Sequence, residues 1–116
     1  MIFIVINSIS IGASALKVYQ TKTDVIAHNV ANINTEGFKP KTVHLKENNY
    51  SNIDDKTQVG SGVSVDAITE NQGTANLATE FTELIKSQRS FEANVKTIKT
   101  ADEMLGTLLD GELPAT

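Results

Sequence analysis

Near the C-terminal end, Leu77, Phe81, Leu84, Gln88, Phe91, Val95, Ile98, Asp102, Leu105 and Leu109 follow one another at alternating spacings of 4 and 3. This is a heptad seam sustained over about 33 residues, or roughly 50 Å of α-helix. A helix of that length with one apolar stripe must lay the stripe against another helix. Only Gln88 and Asp102 interrupt it, and polar residues at such positions cost stability while fixing register and partner number. Asn76 suits an N-cap, and Glu80 sits near the positive helix end. Glu92 and Lys96 are placed as an i,i+4 pair. Gly111 and Pro114 are stop signals. Ile85, Met104 and Leu108 lie beside the seam and widen the apolar face.

A second stripe runs from about Ser8 to Asn34, through Ile9, Gly12, Leu16, Tyr19, Thr23, Ile26, Val30 and Ile33. Ser8 or Ser10 could cap this helix. The run Asn32-Ile-Asn-Thr-Glu-Gly37 would end it, since Asn and Gly tolerate the left-handed conformation of a helix stop. Ala13, Ala27 and Ala31 form a row of small residues that would admit another helix at close range. The apolar run Ile2–Ile6 reads either as a short strand or as a frayed start.

Between the helices the periodicity changes. Lys41–Leu45 alternates polar and apolar, as does Gly62–Ile68, which follows a turn signal at Gly60-Ser61-Gly62. Asn48–Asn52 and Asp54-Asp55 read as a mobile loop, and Asn71-Gln-Gly73 as a turn. Two short strands make one hairpin, which is marginal alone and must lean on the helices.

The expected fold is therefore mainly α. Two long helices, roughly 10–34 and 76–109, would form an antiparallel coiled-coil-like hairpin with a small β-hairpin excursion between them. The segments are 1–38, 39–75 and 76–116. One helix pair cannot cover so wide an apolar face, and wide exposed apolar patches mark interfaces. An assembling protein is expected, with Phe81, Phe91 and Leu105 covered in the assembly and the isolated chain less helical than the assembled one.

Composition narrows the chemistry. The 116 residues contain no Cys, which excludes disulfides, thiolate metal sites and a Cys nucleophile. A net charge of −4 argues against a nucleic-acid-coating surface. The apolar run at the start is far shorter than the roughly 20 residues of a membrane span. No Lys or Arg precedes it, so it is a poor cleaved secretory signal. His28 and His44 lack ligand partners at local spacing, and Gly60-Ser-Gly62 precedes a strand where a phosphate loop would precede a helix. Asp54-Asp55 and Asp102-Glu103 lack a neighbouring His. No catalytic residue, cofactor or metal is expected.

The terminal segments carry a resemblance. Asn29-Val-Ala-Asn-Ile-Asn-Thr-Glu-Gly-Phe-Lys39 resembles the signature that ends the N-terminal helix of bacterial flagellar axial proteins of the rod, hook and hook-associated type. Glu83–Asn94 and Thr100–Leu109 are similar to that family's C-terminal rod motif. With so short a middle segment, the chain looks most like a proximal rod protein of the basal body, although it lacks a His-Pro pair of the kind one proximal rod class shows before the C-terminal helix. The resemblance implies a structural subunit, passed through the flagellar type III export apparatus without a cleaved signal. Both terminal helices would build a helical tube in the periplasmic rod. The implied partners are further copies of the chain, other axial proteins and the export apparatus; no nucleic acid and no membrane span are implied.

The resemblance also nominates interface residues: Asn29, Asn32, Asn34, Thr35, Gly37 and Phe38 around the end of the first helix, and Gln88, Arg89, Phe91, Glu92, Asn94, Asp102, Leu105 and Leu109 on the second. Asn is a poor helix former, so Asn29, inside the helix, is expected to bond to a neighbouring subunit. Asn32 and Asn34 read as helix-end caps, and Phe38 as a staple to the hairpin. Asp102, where Leu would be the default, needs a donor: Lys99, a hydroxyl of Thr100 or Thr107, the N-terminal helix, or an adjacent subunit, the last two being favoured. The pattern alone leaves a second reading open, a helical-hairpin adaptor or export-chaperone-like protein that binds one partner helix.

Overall fold

The computed structural model describes residues 2–51 and 58–111. Helix α1 spans Ile2–Ala31, strand β1 Lys41–Ser51, strand β2 Gln58–Glu70 and helix α2 Leu77–Leu109. The two helices run antiparallel: Gly12 meets Ile98, Tyr19 meets Ser87, and Asn29 meets Glu80. The result is long and flat. Its extents are 67 × 33 × 14 Å, and its radius of gyration is 18.8 Å, against about 13 Å for a compact chain of this length.

Helix α1 starts earlier than its apolar stripe indicates. Ile2–Ile6 is helical, neither strand nor frayed, so Ser8 and Ser10 lie inside the helix rather than at its start. β-Branched residues favour strands only where a pleated surface receives them. Here burial decides: Val5 is buried, and Ser8 lines one groove with Ala101 and Met104 of α2. At the other end, Asn32 donates its side-chain amide to the His28 carbonyl (3.0 Å) and accepts from the Thr35 hydroxyl (3.0 Å). Gly37 then takes φ 78°, a left-handed turn that Gly adopts without strain.

The strands form one antiparallel hairpin that reaches further than the alternating patterns do. Asn48–Ser51 belongs to β1 and is no loop; Asp54 and Asp55 fall outside the described residues. Gly60-Ser61-Gly62 lies within β2 and is no turn. The register shifts there, with Asn48 opposite Gly62 and Asn49 opposite Gly60. Such a bulge bends a strand, and this one seats it on α1. The Ser14 hydroxyl donates to the Ile11 carbonyl (2.6 Å) and accepts from the Val63 amide (3.1 Å). Gly62, at φ 119°, leaves no room for a Cβ beside Ser14. Val43 is buried beneath the hairpin, while His44 and Lys46 are exposed.

Helix α2 begins at Asn76 as its sequence indicates, with Oδ1 accepting from the amides of Ala78 (2.9 Å) and Thr79 (3.3 Å). It stops at Asp110 and Gly111, the latter at φ 71°.

Candidate assembly face

The contact between the helices is not centred on the predicted seam. The buried line of α2 is Glu80, Ser87 and Ala101, with Asn94 half-buried between the last two, one heptad apart throughout. Half of the seam, the row Leu77, Leu84, Phe91, Ile98 and Leu105, lies on the shoulder of this contact, with Leu77 and Phe91 exposed. The other half, Phe81, Gln88, Val95, Asp102 and Leu109, is exposed at every position, with Phe81 at 47% and Leu109 at 70%. Within one chain the two helices therefore do not bury the whole seam. Adjacent heptad rows lie about 50° apart on a helix, and α1 can cover only one flank of a stripe two rows wide.

Small and polar side chains allow the helices to approach closely. At Gly12 of α1 an added Cβ would stand 2.6 Å from Ile98 Cγ1. Ser87 is 1% exposed; its hydroxyl donates to the Tyr19 carbonyl (3.1 Å) and touches the Thr23 hydroxyl (2.9 Å). Asn29, also 1% exposed, ties three elements together. Its amide nitrogen donates to the Lys41 carbonyl (2.8 Å) and to Glu80 Oε2 (3.1 Å), and its Oδ1 accepts from the Lys41 amide (2.9 Å). Both amide hydrogens are used inside the chain, so the expected bond from Asn29 to a neighbouring subunit is replaced by a junction of α1, β1 and α2. Among the described residues, no buried side-chain nitrogen or oxygen lacks a partner.

The other nominated residues divide by place. Asn32, Thr35, Gly37 and Phe38 build the end of α1, where the Phe38 ring meets His28 edge-on with centroids 5.5 Å apart; Asn34 is exposed beside them. Asn94 donates to the Ser90 carbonyl of its own helix (2.7 Å). Glu92 binds Arg89 and Gln88, each at 3.3 Å, rather than Lys96. Asp102 is exposed and has no hydrogen bond or ion pair among the described residues; Thr107 bonds instead to the Glu103 carbonyl. Within the single chain, neither its own helix nor α1 supplies Asp102 with a donor among the described residues. Glu80, Ser87, Ser14 and Gly12 carry the internal contact, and apolar periodicity does not single out the first three.

On one side of the slab the helices leave an open groove of about 540 Å³, lined by Gln20, Thr23, Leu84, Gln88, Phe91 and Glu92. Exposed Leu77, Phe81, Ile85 and Val95 continue the apolar surface of α2. The small row Ala13, Ala27 and Ala31 is exposed rather than packed against α2. Among the described residues, no group of three or more His, Asp or Glu could hold a metal ion, and no described helix is long and apolar enough to cross a membrane.

The comparisons with known proteins fall on the two helices. Residues 9–39 match the family model for flagella basal body rod proteins. Residues 74–110 match that for the C-terminal part of flagellar basal body rod FlgEFG proteins. Over 42 residues the chain is 48% identical to flagellar basal-body rod protein FlgG of Bacillus subtilis strain 168, an alignment covering 36% of this chain and 16% of that protein. The chain thus spans about a sixth of the length of that relative.

Proposed function

We propose, from the premise that this chain belongs to the flagellar basal-body rod protein family, that it is a structural subunit of the rod. In this reading it is passed out of the cytoplasm by the flagellar type III apparatus and joins a helical tube in the periplasm through α1 and α2. Its partners are further copies and other axial proteins. The carrying observation is the free row of α2: Phe81, Val95 and Leu109 stand in water on a slab too thin to cover them. Burying a large apolar side chain contributes about 1.5–3 kcal/mol, which this row makes available only to another chain. Head-to-tail contacts that do not close generate open helical polymers, the geometry a tube needs.

The test pairs electron microscopy of the purified chain with complementation of a strain lacking its gene. The parent chain is expected to form tubes and to restore basal bodies and motility. Phe81→Gln combined with Val95→Gln is expected to do neither while keeping the subunit folded. Full motility and intact basal bodies in the deletion strain would refute the rod assignment.

A further inference from the structure

The free row of α2 is self-complementary in one orientation. Its five members are Phe81, Gln88, Val95, Asp102 and Leu109, seven residues apart, alternating apolar and polar about Val95. All five are exposed, and Asp102 has no partner among the described residues. Gln88 spends one weak bond on Glu92 at 3.3 Å and has a second amide hydrogen to give.

We infer that α2 pairs antiparallel with α2 of a second copy about a two-fold axis at Val95, forming a closed dimer. In that register Phe81 meets Leu109 of the second copy, Val95 meets Val95, and the Gln88 amide donates to the Asp102 carboxylate. The flanking rows agree. On the shoulder next to α1, Leu84 faces Leu105 and Phe91 faces Ile98, each across the axis. On the outer flank, Glu92 comes opposite Lys99. A slip by one heptad sets Gln88 against Val95 and Glu92 against Glu92 in one direction. In the other it sets Asp102 against Val95 and Lys99 against Lys99. Parallel in-register pairing stacks Asp102 on Asp102. Each alternative faces like charges or buries an unpaired polar group, so the polar positions select one register. The paired stretch is about 42 Å long.

This pairing rests on the exposed rows and not on the rod reading. Where both hold, a closed isologous dimer covers the face that open assembly needs, so pairing and polymerisation compete for it.

Single-cysteine variants test it cleanly, because the chain has no Cys of its own. Directly facing positions on two helices about 10 Å apart bring Cα atoms to about 5.5 Å, inside disulfide range. Under mild oxidation Val95→Cys is expected to give a covalent dimer, and so is a mixture of Gln88→Cys with Asp102→Cys. Gln88→Cys or Asp102→Cys alone is expected to give none, since each would lie about 21 Å from its own copy. At micromolar concentration, below that at which tubes form, the unmodified chain is expected to sediment as a dimer. Self-linking at all three positions would establish parallel pairing and overturn the proposal. A monomeric parent with no link at Val95→Cys would also overturn it, leaving the face to a different protein. In either failure the rod reading still stands or falls on the deletion strain.

Discussion

Two rows of α2, about 100° apart with the shoulder row between them, divide the work of holding this chain and leaving it open. The row Glu80, Ser87, Asn94 and Ala101 faces α1 and contains no large apolar side chain. The row Phe81, Gln88, Val95, Asp102 and Leu109 faces water and carries most of its apolar surface in three such side chains. The inward row works through close approach and hydrogen bonds, at Gly12 against Ile98, Ser87 against Tyr19 and Glu80 against Asn29. Such contacts fix register with little apolar area, and every buried polar group among them is satisfied. The outward row has the larger potential stabilisation, and the single chain does not use it. The division leaves the apolar area of the outward row available to a partner.

The largest effect on this contrast should come from filling the space at Gly12. Gly12→Leu forces Ile98 aside and is expected to destabilise the subunit by about 3 kcal/mol, near the upper end for overpacking. Thermal unfolding followed by circular dichroism measures it. Adding Ile98→Ala should restore part of the loss, since the two sites are in contact. Unchanged melting in Gly12→Leu would mean that the helices are not closely packed there.

Asn29→Ala is next. It leaves the Glu80 carboxylate and both Lys41 backbone groups short of a partner, and each buried polar group left unsatisfied costs about 1–3 kcal/mol. A loss of about 2–3 kcal/mol is expected, together with faster amide exchange in β1 as the hairpin loosens from α1. A variant as stable as the parent would show that water replaces the junction at no cost.

How much of this was legible beforehand differs between the rows. Heptad spacing located α2, and the Asx chemistry of Asn76 marked its start. Spacing says which residues share a face and is silent on which chain lies opposite. The seam therefore reads as one stripe to be covered in the assembly, and the pattern does not tell which flank α1 takes. The inward row was hard to see because Glu80, Ser87 and Asn94 add nothing to an apolar pattern, despite their even heptad spacing. Asn29 was marked by its poor fit to a helix interior, but its partners come from Lys41 and Glu80, 12 and 51 residues away. Gly60-Ser61-Gly62 misled because the glycines that mark a turn serve a bulge equally well.

Phe81→Gln with Val95→Gln changes the outward row alone. Both side chains are already half in water, and Gln is a better helix former than Phe or Val. Subunit stability is expected to stay within about 1 kcal/mol of the parent. Sedimentation and electron microscopy should nevertheless show loss of self-association and of tubes. A matching loss of melting temperature in dilute monomer would instead place these side chains in the intrachain core.

The smallest effect on the fold, and the sharpest on specificity, is expected from Asp102→Leu. Asp102 is exposed and unpaired within the chain, so nothing internal is lost, and Leu favours the helix by about 0.5 kcal/mol. The apolar row becomes more continuous, which raises non-specific attraction between copies. What disappears is the carboxylate that makes wrong registers costly: Asp102 facing Asp102 no longer repels, and Asp102 facing Val95 no longer buries an unpaired charge. Monomer melting should therefore rise slightly or stay level while ordered assembly fails. The readouts are melting of the dilute subunit, cross-linking of Val95→Cys in the Asp102→Leu background, and motility of cells carrying the substitution. Cross-linking at Val95→Cys should fall as the register spreads over several alternatives; motility should drop separately, because the same row loses in the rod the carboxylate that sets its register. If Asp102→Leu links and assembles as well as the parent, the carboxylate is only a tolerated polar group at a wet edge, and apolar shape alone sets the register of the outward row.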